Sequence, residues 1–248
     1  MKLDSLRGKL QYAESQTFGR LARFALSPIQ EAFKGVARST VFVTDEIKHG
    51  LELACRALEA STPRRVPLQF PANNMLTFTD RACEGERFVS NVTAGASVVE
   101  PGVAGRWWFH FVVPEMLAQS WRDSGNKLQV IAETELFPVL ICRAMLAVHP
   151  VMTLIAHYVD NDGVNDSLVK GTSVVSSLRD MLHEYALQEL RLNLVSWIAR
   201  VASASNPGDA PSRTASAQSD GLDRGLDRSA EARVVSLALA VLLLNKES

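Results

Sequence analysis

Two β-prone runs, Leu76 to Asp80 and Leu154 to Asn161, each deliver an aspartate at their end (Asp80 and Asp160), and this limits the possible folds more than any other feature. A carboxylate at the end of a buried strand loses its water and must be met by a cation or a hydrogen-bond donor. Two such strands, with two further acids at helix starts, predict a shared divalent-metal site. The two further acids stand where helices should begin. Glu135 opens Glu135-Leu136-Phe137-Pro138, and Asp209 lies within Asn206-Pro207-Gly208-Asp209-Ala210-Pro211-Ser212-Arg213. Proline is tolerated mainly in the first turn of a helix, so Pro138 predicts Glu135 at or just before a helix start. Any one of these acids alone would most often be a turn former or a cap. Four in these settings predict a shared pocket, reached only through a tertiary fold.

Crowded carboxylates repel one another until protons or cations relieve them. Mg2+ suits such a pocket, being a hard ion that takes oxygen ligands and keeps open positions for phosphate oxygens. Two such ions roughly 3.5–4 Å apart can activate water and stabilise a leaving oxygen. On this reading Asp80 and Asp160 are the central ligands, Glu135 flanks one ion and Asp209 the other, and all four are catalytic. Mn2+ can substitute.

The rest of the chain organises around these acids. Residues 1–60 show helical spacing, with Thr44-Asp45 suiting a helix start, and 61–72 read as a linker that opens with two prolines and a charge pair. From residue 73 the pattern turns mixed: strands at Met75 to Asp80, Val92 to Val99 and Arg106 to Val113, a helix from about Thr134 to Val148, and a strand at Thr153 to Asp160. Helices at Gly163 to Lys170 and Val174 to Leu192 and a strand at Leu194 to Val201 follow. This order predicts an α/β fold: a mixed five-stranded sheet, three antiparallel strands followed by parallel additions, with helices on both faces and a helical segment in front. Residues 73–213 form the domain. Residues 214–229, with a small Gly-Leu-Asp-Arg repeat, read as a disordered linker, and 230–245 as a C-terminal helix.

Composition excludes several classes. Lys and Arg total 26 against 27 Asp and Glu, so no global basic field marks a stand-alone nucleic-acid binder. The three cysteines are scattered without a CxxC pair, which points to a reducing, intracellular compartment (cytoplasmic or nuclear) and away from zinc. The run Val234 to Leu244 is too short to span a bilayer, so no membrane partner is expected. There is no G-x-S-x-G elbow and no phosphate-binding glycine loop. The aromatic run Trp107, Trp108, Phe109 and Phe111 is read mainly as core. Lys170 and Arg213 flank the predicted pocket and are the basic residues best placed to touch a nucleic-acid backbone, where recognition would be by shape and 2′-hydroxyls.

These four acidic contexts resemble the motifs of retroelement ribonuclease H domains: a strand ending in TD, a helix with EL, a strand ending in DN, and N-x-x-A-D-x-x-S-R. The Glu-Leu-x-Pro form is similar to the domains of tyrosine-recombinase (DIRS-like) retrotransposons and related reverse transcriptases. Leu6-Arg7-Gly8-Lys9-Leu10-Gln11-Tyr12-Ala13 resembles the thumb/connection helix that precedes the domain there. The resemblance covers residues 73–213 and implies a ribonuclease H-like fold, two Mg2+ ions and cleavage of the RNA strand of RNA–DNA hybrids. It also implies a polymerase palm and fingers as partner. Tyr158-Val159-Asp160-Asn161 lacks the second adjacent aspartate a palm needs, so the chain reads as a piece of a longer element protein. The sequence departs from the family at Arg81, where small residues are usual, and at Gly208, where alanine is. It also lacks the histidine that cellular enzymes keep before the last aspartate, which implies slower turnover. The near-neutral charge and the substitutions around Asp80 support an alternative, a decayed domain with a structural or tethering role.

Overall fold

The computed structural model describes residues 3–16, 26–27, 29–30, 42–60, 74–83, 92–100, 106–125, 130–146, 153–192, 194–213 and 224–225. Two helices come first, α1 (Leu3–Gln16) and α2 (Asp45–Ala60). They are followed by β1 (Asn74–Cys83), β2 (Val92–Val99), β3 (Arg106–Val112), α3 (Glu115–Gly125) and α4 (Ile131–Leu146). The chain continues through β4 (Thr153–Val159), α5 (Asp162–Lys170), α6 (Ser176–Arg191), β5 (Leu194–Arg200), α7 (Asp209–Ser212) and the two-residue β6 (Arg224–Gly225). The sheet runs β5-β4-β1-β2-β3, with β6 adding a short edge to β3. β2 is antiparallel to β1 and β3, whereas β4 is parallel to β1 and β5 is parallel to β4.

Alternation along the strands decides what each face carries. Ala94, Ala96 and Val98 of β2 are fully buried and belong to one core with Phe109, Phe111 and the α4 residues Leu136, Phe137 and Leu140. Small alanines let α4 lie close over the centre of the sheet. That helix is apolar on nearly every side, the pattern of a helix enclosed by the fold rather than lying on its surface. The rings of Phe111 and Trp121 both meet Phe137 edge-on, at 5.5 and 5.7 Å. Thr93 and Gly95 point to the opposite face, where α7 packs, so helices do lie on both faces. Phe109 and Phe111 are core, as expected of the aromatic run, while Trp107 and Trp108 are half-buried.

Ahead of the sheet, the Thr44 hydroxyl accepts from Ile47 N at 3.3 Å and caps α2. His49 on this helix pairs with Asp180 on α6 at 2.9 Å, which ties the leading segment to the domain. Burial opposes but does not cancel the Asp180 hydrogen bond, so the His49 pKa is raised.

Three sequence expectations are corrected. α3 lies between β3 and the long helix where no helix was expected; its buried anchors, Leu117, Ala118 and Trp121, give a weak period. The long helix begins at Ile131, so Pro138 is interior and Glu135 lies in the second turn. An interior proline withholds the N–H that the carbonyl of Thr134 would accept, and enclosure of α4 by the sheet and α6 outweighs that loss. β1 runs on to Cys83, so Asp80 lies within a strand and not at its end. The linker 61–72, most of 214–229 and the helix at 230–245 fall outside the described residues; Arg224 and Gly225, within the expected disordered linker, are in β6. No helix among the described residues is long and apolar enough to cross a membrane.

Candidate metal centre

The strand register builds the centre. Parallel pairing of β1 with β4 runs from Asn74↔Leu154 to Phe78↔Tyr158 and stops there. Two residues further along each chain stand Asp80 and Asp160, level with one another where the strands part. Phe78 and Tyr158 stack just behind them, ring centroids 4.8 Å apart. Asp160 leaves β4 directly into α5, whose first turn is capped by Asn161: its Oδ1 accepts from Val164 N at 3.1 Å. That cap fixes the strand-to-helix turn and with it the direction of Asp160. Glu135 reaches the same place from the second turn of α4.

One carboxylate oxygen from each of Asp80, Glu135 and Asp160 lies within 4.8 Å of the other two. Asp80 and Glu135 are buried and Asp160 is half-buried. Desolvation is the largest cause of the perturbation that follows. Burial, then the neighbouring acids, push Glu135 up to about 9, although Arg81 pulls it down. Asp80 is pushed up to about 7 by burial and by Asp160 and Asp209, against a backbone hydrogen bond from Arg81 N. Glu135 Oε2 has no hydrogen-bond partner among the described residues. Carboxylate oxygens from β1, α4 and the β4–α5 turn, two of the three acids buried, together with an orphaned oxygen and raised carboxyl pKa values at Asp80 and Glu135, fit a hard divalent cation.

Asp209 is brought to the rim of this group. It faces Asp80 closely enough to raise its pKa, but it is not one of the three mutually close acids. Its carboxylate is paired with Arg213, whose Nε donates to Oδ1 at 3.1 Å. The approach of this segment is set by two residues whose placement shows only in the fold. Asn206 Nδ2 donates to Thr79 O at 3.0 Å, and its Oδ1 accepts from Gly208 N at 3.0 Å. A Cβ on Gly208 would stand 2.7 Å from Phe78 O, so glycine at this position permits the loop to lie on β1. A Cβ on Gly95 would meet the Pro211 backbone at 2.5 Å. A glycine inside a β-rich run was the available signal for such an approach. His110, otherwise one of five dispersed histidines, donates from Nδ1 to Pro211 O at 2.9 Å.

The two basic residues expected beside the pocket part company. Arg213 lies next to Asp209. Lys170 ends α5, roughly 12 Å along the helix axis from the turn that follows Asp160, and pairs with Asp166 at 2.7 Å. The cation at the heart of the centre is Arg81, whose Nε stands 3.3 Å from Glu135 Oε1. The sequence marked it only as a departure.

A five-stranded sheet ordered β5-β4-β1-β2-β3, with only β2 reversed and a buried acidic group at the parting of the central parallel strands, is the ribonuclease H-like α/β fold. No protein-family model matches the chain, and no curated protein matches it. Among solved structures the chain is similar to ribonuclease H1 from the halophilic archaeon Halobacterium salinarum NRC-1, with a TM-score of 0.36 and 16% identity over 56% of this chain and 93% of that one. It is also similar to LC9-RNase H1, a type 1 RNase H with the type 2 active-site motif, at TM-score 0.34 and 13% identity, covering 55% and 66% of the two chains.

Proposed function

We propose that the chain is a divalent-metal-dependent phosphodiester hydrolase that cuts the RNA strand of RNA–DNA hybrids, as the ribonuclease H part of a retroelement reverse transcriptase. The observation that carries this reading is the convergence of Asp80, Glu135 and Asp160, three acids distant in sequence, within 4.8 Å in a desolvated notch. In this proposal Asp80, Glu135 and Asp160 hold Mg2+ and Asp209 assists from the rim. A bound ion would supply charge for the phosphate and acidity for a coordinated water. A bound cation would favour the ionised forms of Asp80 and Glu135, since its charge would relieve their crowding. Asn161 holds Asp160 in position, and Asn206 with Gly208 holds Asp209. Arg213, beside Asp209, would be the basic residue to touch a hybrid backbone, giving shape recognition rather than base reading. Residues 73–213 are the catalytic domain and 1–60 the thumb/connection-like segment that would join it to a polymerase.

A second reading, a decayed domain that only tethers or supports, is favoured by one observation: Glu135 and Asp209 already carry cationic partners in Arg81 and Arg213. Hybrid cleavage separates the two. With Mg2+ the wild type should release cut RNA, and Asp160→Asn, which keeps the volume and removes a ligand charge, should lower the rate at least about 100-fold. Losses of about 10–100-fold already follow from disturbing groups one step outside a metal site. Equal rates for both proteins would remove the assignment, and a wild type without activity would leave the tethering reading.

A further inference from the structure

We propose that Arg81 is a resident counter-cation that occupies the ground a second divalent ion would need, so that the centre takes one ion among Asp80, Glu135 and Asp160. The inference rests on the metal reading above and narrows it, because the motifs imply two ions. Arg81 follows Asp80 in β1 and touches the cluster at two points. Its backbone N–H donates to Asp80 Oδ1 at 2.7 Å, and its guanidinium Nε lies 3.3 Å from Glu135 Oε1. Its side chain is only 21% exposed, so solvent screens this charge weakly. The guanidinium is tethered to the strand that carries Asp80, so it cannot diffuse away from the cluster as a bound ion can.

Charge balance points the same way. The three clustered carboxylates carry three negative charges when ionised, and Arg81 returns one, leaving the two that a single divalent ion neutralises. Asp209 adds no surplus, because Arg213 matches it at 3.0 Å. Glu135 offers one oxygen to Arg81 and keeps the other, Oε2, for the ion. A second dication beside Glu135 would have to approach against the guanidinium or displace it.

The test counts ions. Mn2+ is titrated into the full chain and free Mn2+ is followed by electron paramagnetic resonance. The expected result is one bound ion per wild-type chain, two per Arg81→Gln chain and one per Arg81→Lys chain, which retains the charge. Two ions on the wild type would overturn the proposal whether or not any variant folds. So would a single ion on an Arg81→Gln protein that melts like the wild type, or two ions on Arg81→Lys. Failure of all three proteins to bind Mn2+ would sink the metal reading together with this inference, which separates the two kinds of failure.

Discussion

Two of the places where the domain buries charge are treated in opposite ways. Between α4, α6 and the sheet, Arg143 is wholly buried, yet its guanidinium stacks 3.8 Å over the Tyr185 ring and donates to the Ser196 hydroxyl and, at 3.3 Å, to Tyr185 O. Glu184 lies nearby; burial raises it to about 7, while Arg191 and Arg143 draw it down. His157 bonds to Thr77 Oγ1 at 2.6 Å and is held neutral by burial. Most of the polar contacts of that cluster come from within the chain, although Arg143 Nε and His157 Nε2 have no hydrogen-bond partner among the described residues. At the other place, where β1 and β4 part, three acids share one partly committed arginine and keep an orphaned oxygen. A fold that resolves one buried charge with stacking, hydroxyl and carbonyl is able to do so. Crowding three acids around one arginine, by contrast, leaves a net negative charge that a cation from solution would relieve.

This contrast can be broken first at Arg143. Arg143→Ala removes a fully buried cation, its stacking on Tyr185 and the charge that steadies Glu184. It should cost about 3–5 kcal/mol, the range for breaking a buried charge arrangement, read from the midpoint of urea unfolding. A loss under about 1 kcal/mol would mean that the inner cluster is not self-sufficient.

The acid cluster should behave in the opposite sense. A carboxyl whose pKa is raised in the folded state holds its proton better there than in the unfolded chain. Glu135 is raised from 4.5 to about 9, so metal-free stability should fall as pH climbs through that window. At about 1.4 kcal/mol per pH unit, the loss between pH 6 and pH 8 is roughly 2–3 kcal/mol. Glu135→Gln should flatten this slope, and Mg2+ should flatten it in the wild type. Thermal melts at several pH values with and without Mg2+ measure both; a flat metal-free wild type would remove the contrast.

The smallest effect sharpens the comparison by acting on one side only. Gly95→Ala pushes a methyl into the Pro211 backbone and should shift α7, with Asp209 on it, at a cost of about 1–2 kcal/mol. Mn2+ affinity should weaken while the near-ultraviolet signature of Tyr185 beside Arg143 stays unchanged. An undisturbed metal affinity would show that Asp209 takes no part.

Local chemistry made much of this legible. Runs of β-branched and aromatic residues gave all five main strands, and the acids on two of them pointed to a shared pocket, because an unsolvated carboxylate must be explained wherever the strand lies. Pro138 misled: its rule concerns the helix alone, whereas enclosure of α4 by the sheet let the helix continue through it. Asp80 was read as a strand end for a similar reason, since pairing of β1 with β2 as far as Cys83↔Val92 carries the strand past it.

What the sequence determined by itself was which residues needed a partner: the cost of stripping water from an acid is a property of the side chain. What only the tertiary structure decided was which partner each one met. Arg81 next to Glu135, and Gly95 and Gly208 beneath α7 and its loop, are contacts across long stretches of chain. They depend on register and on distances of a few ångströms, and such distances exist only once the strands have paired and α4 has settled on the sheet.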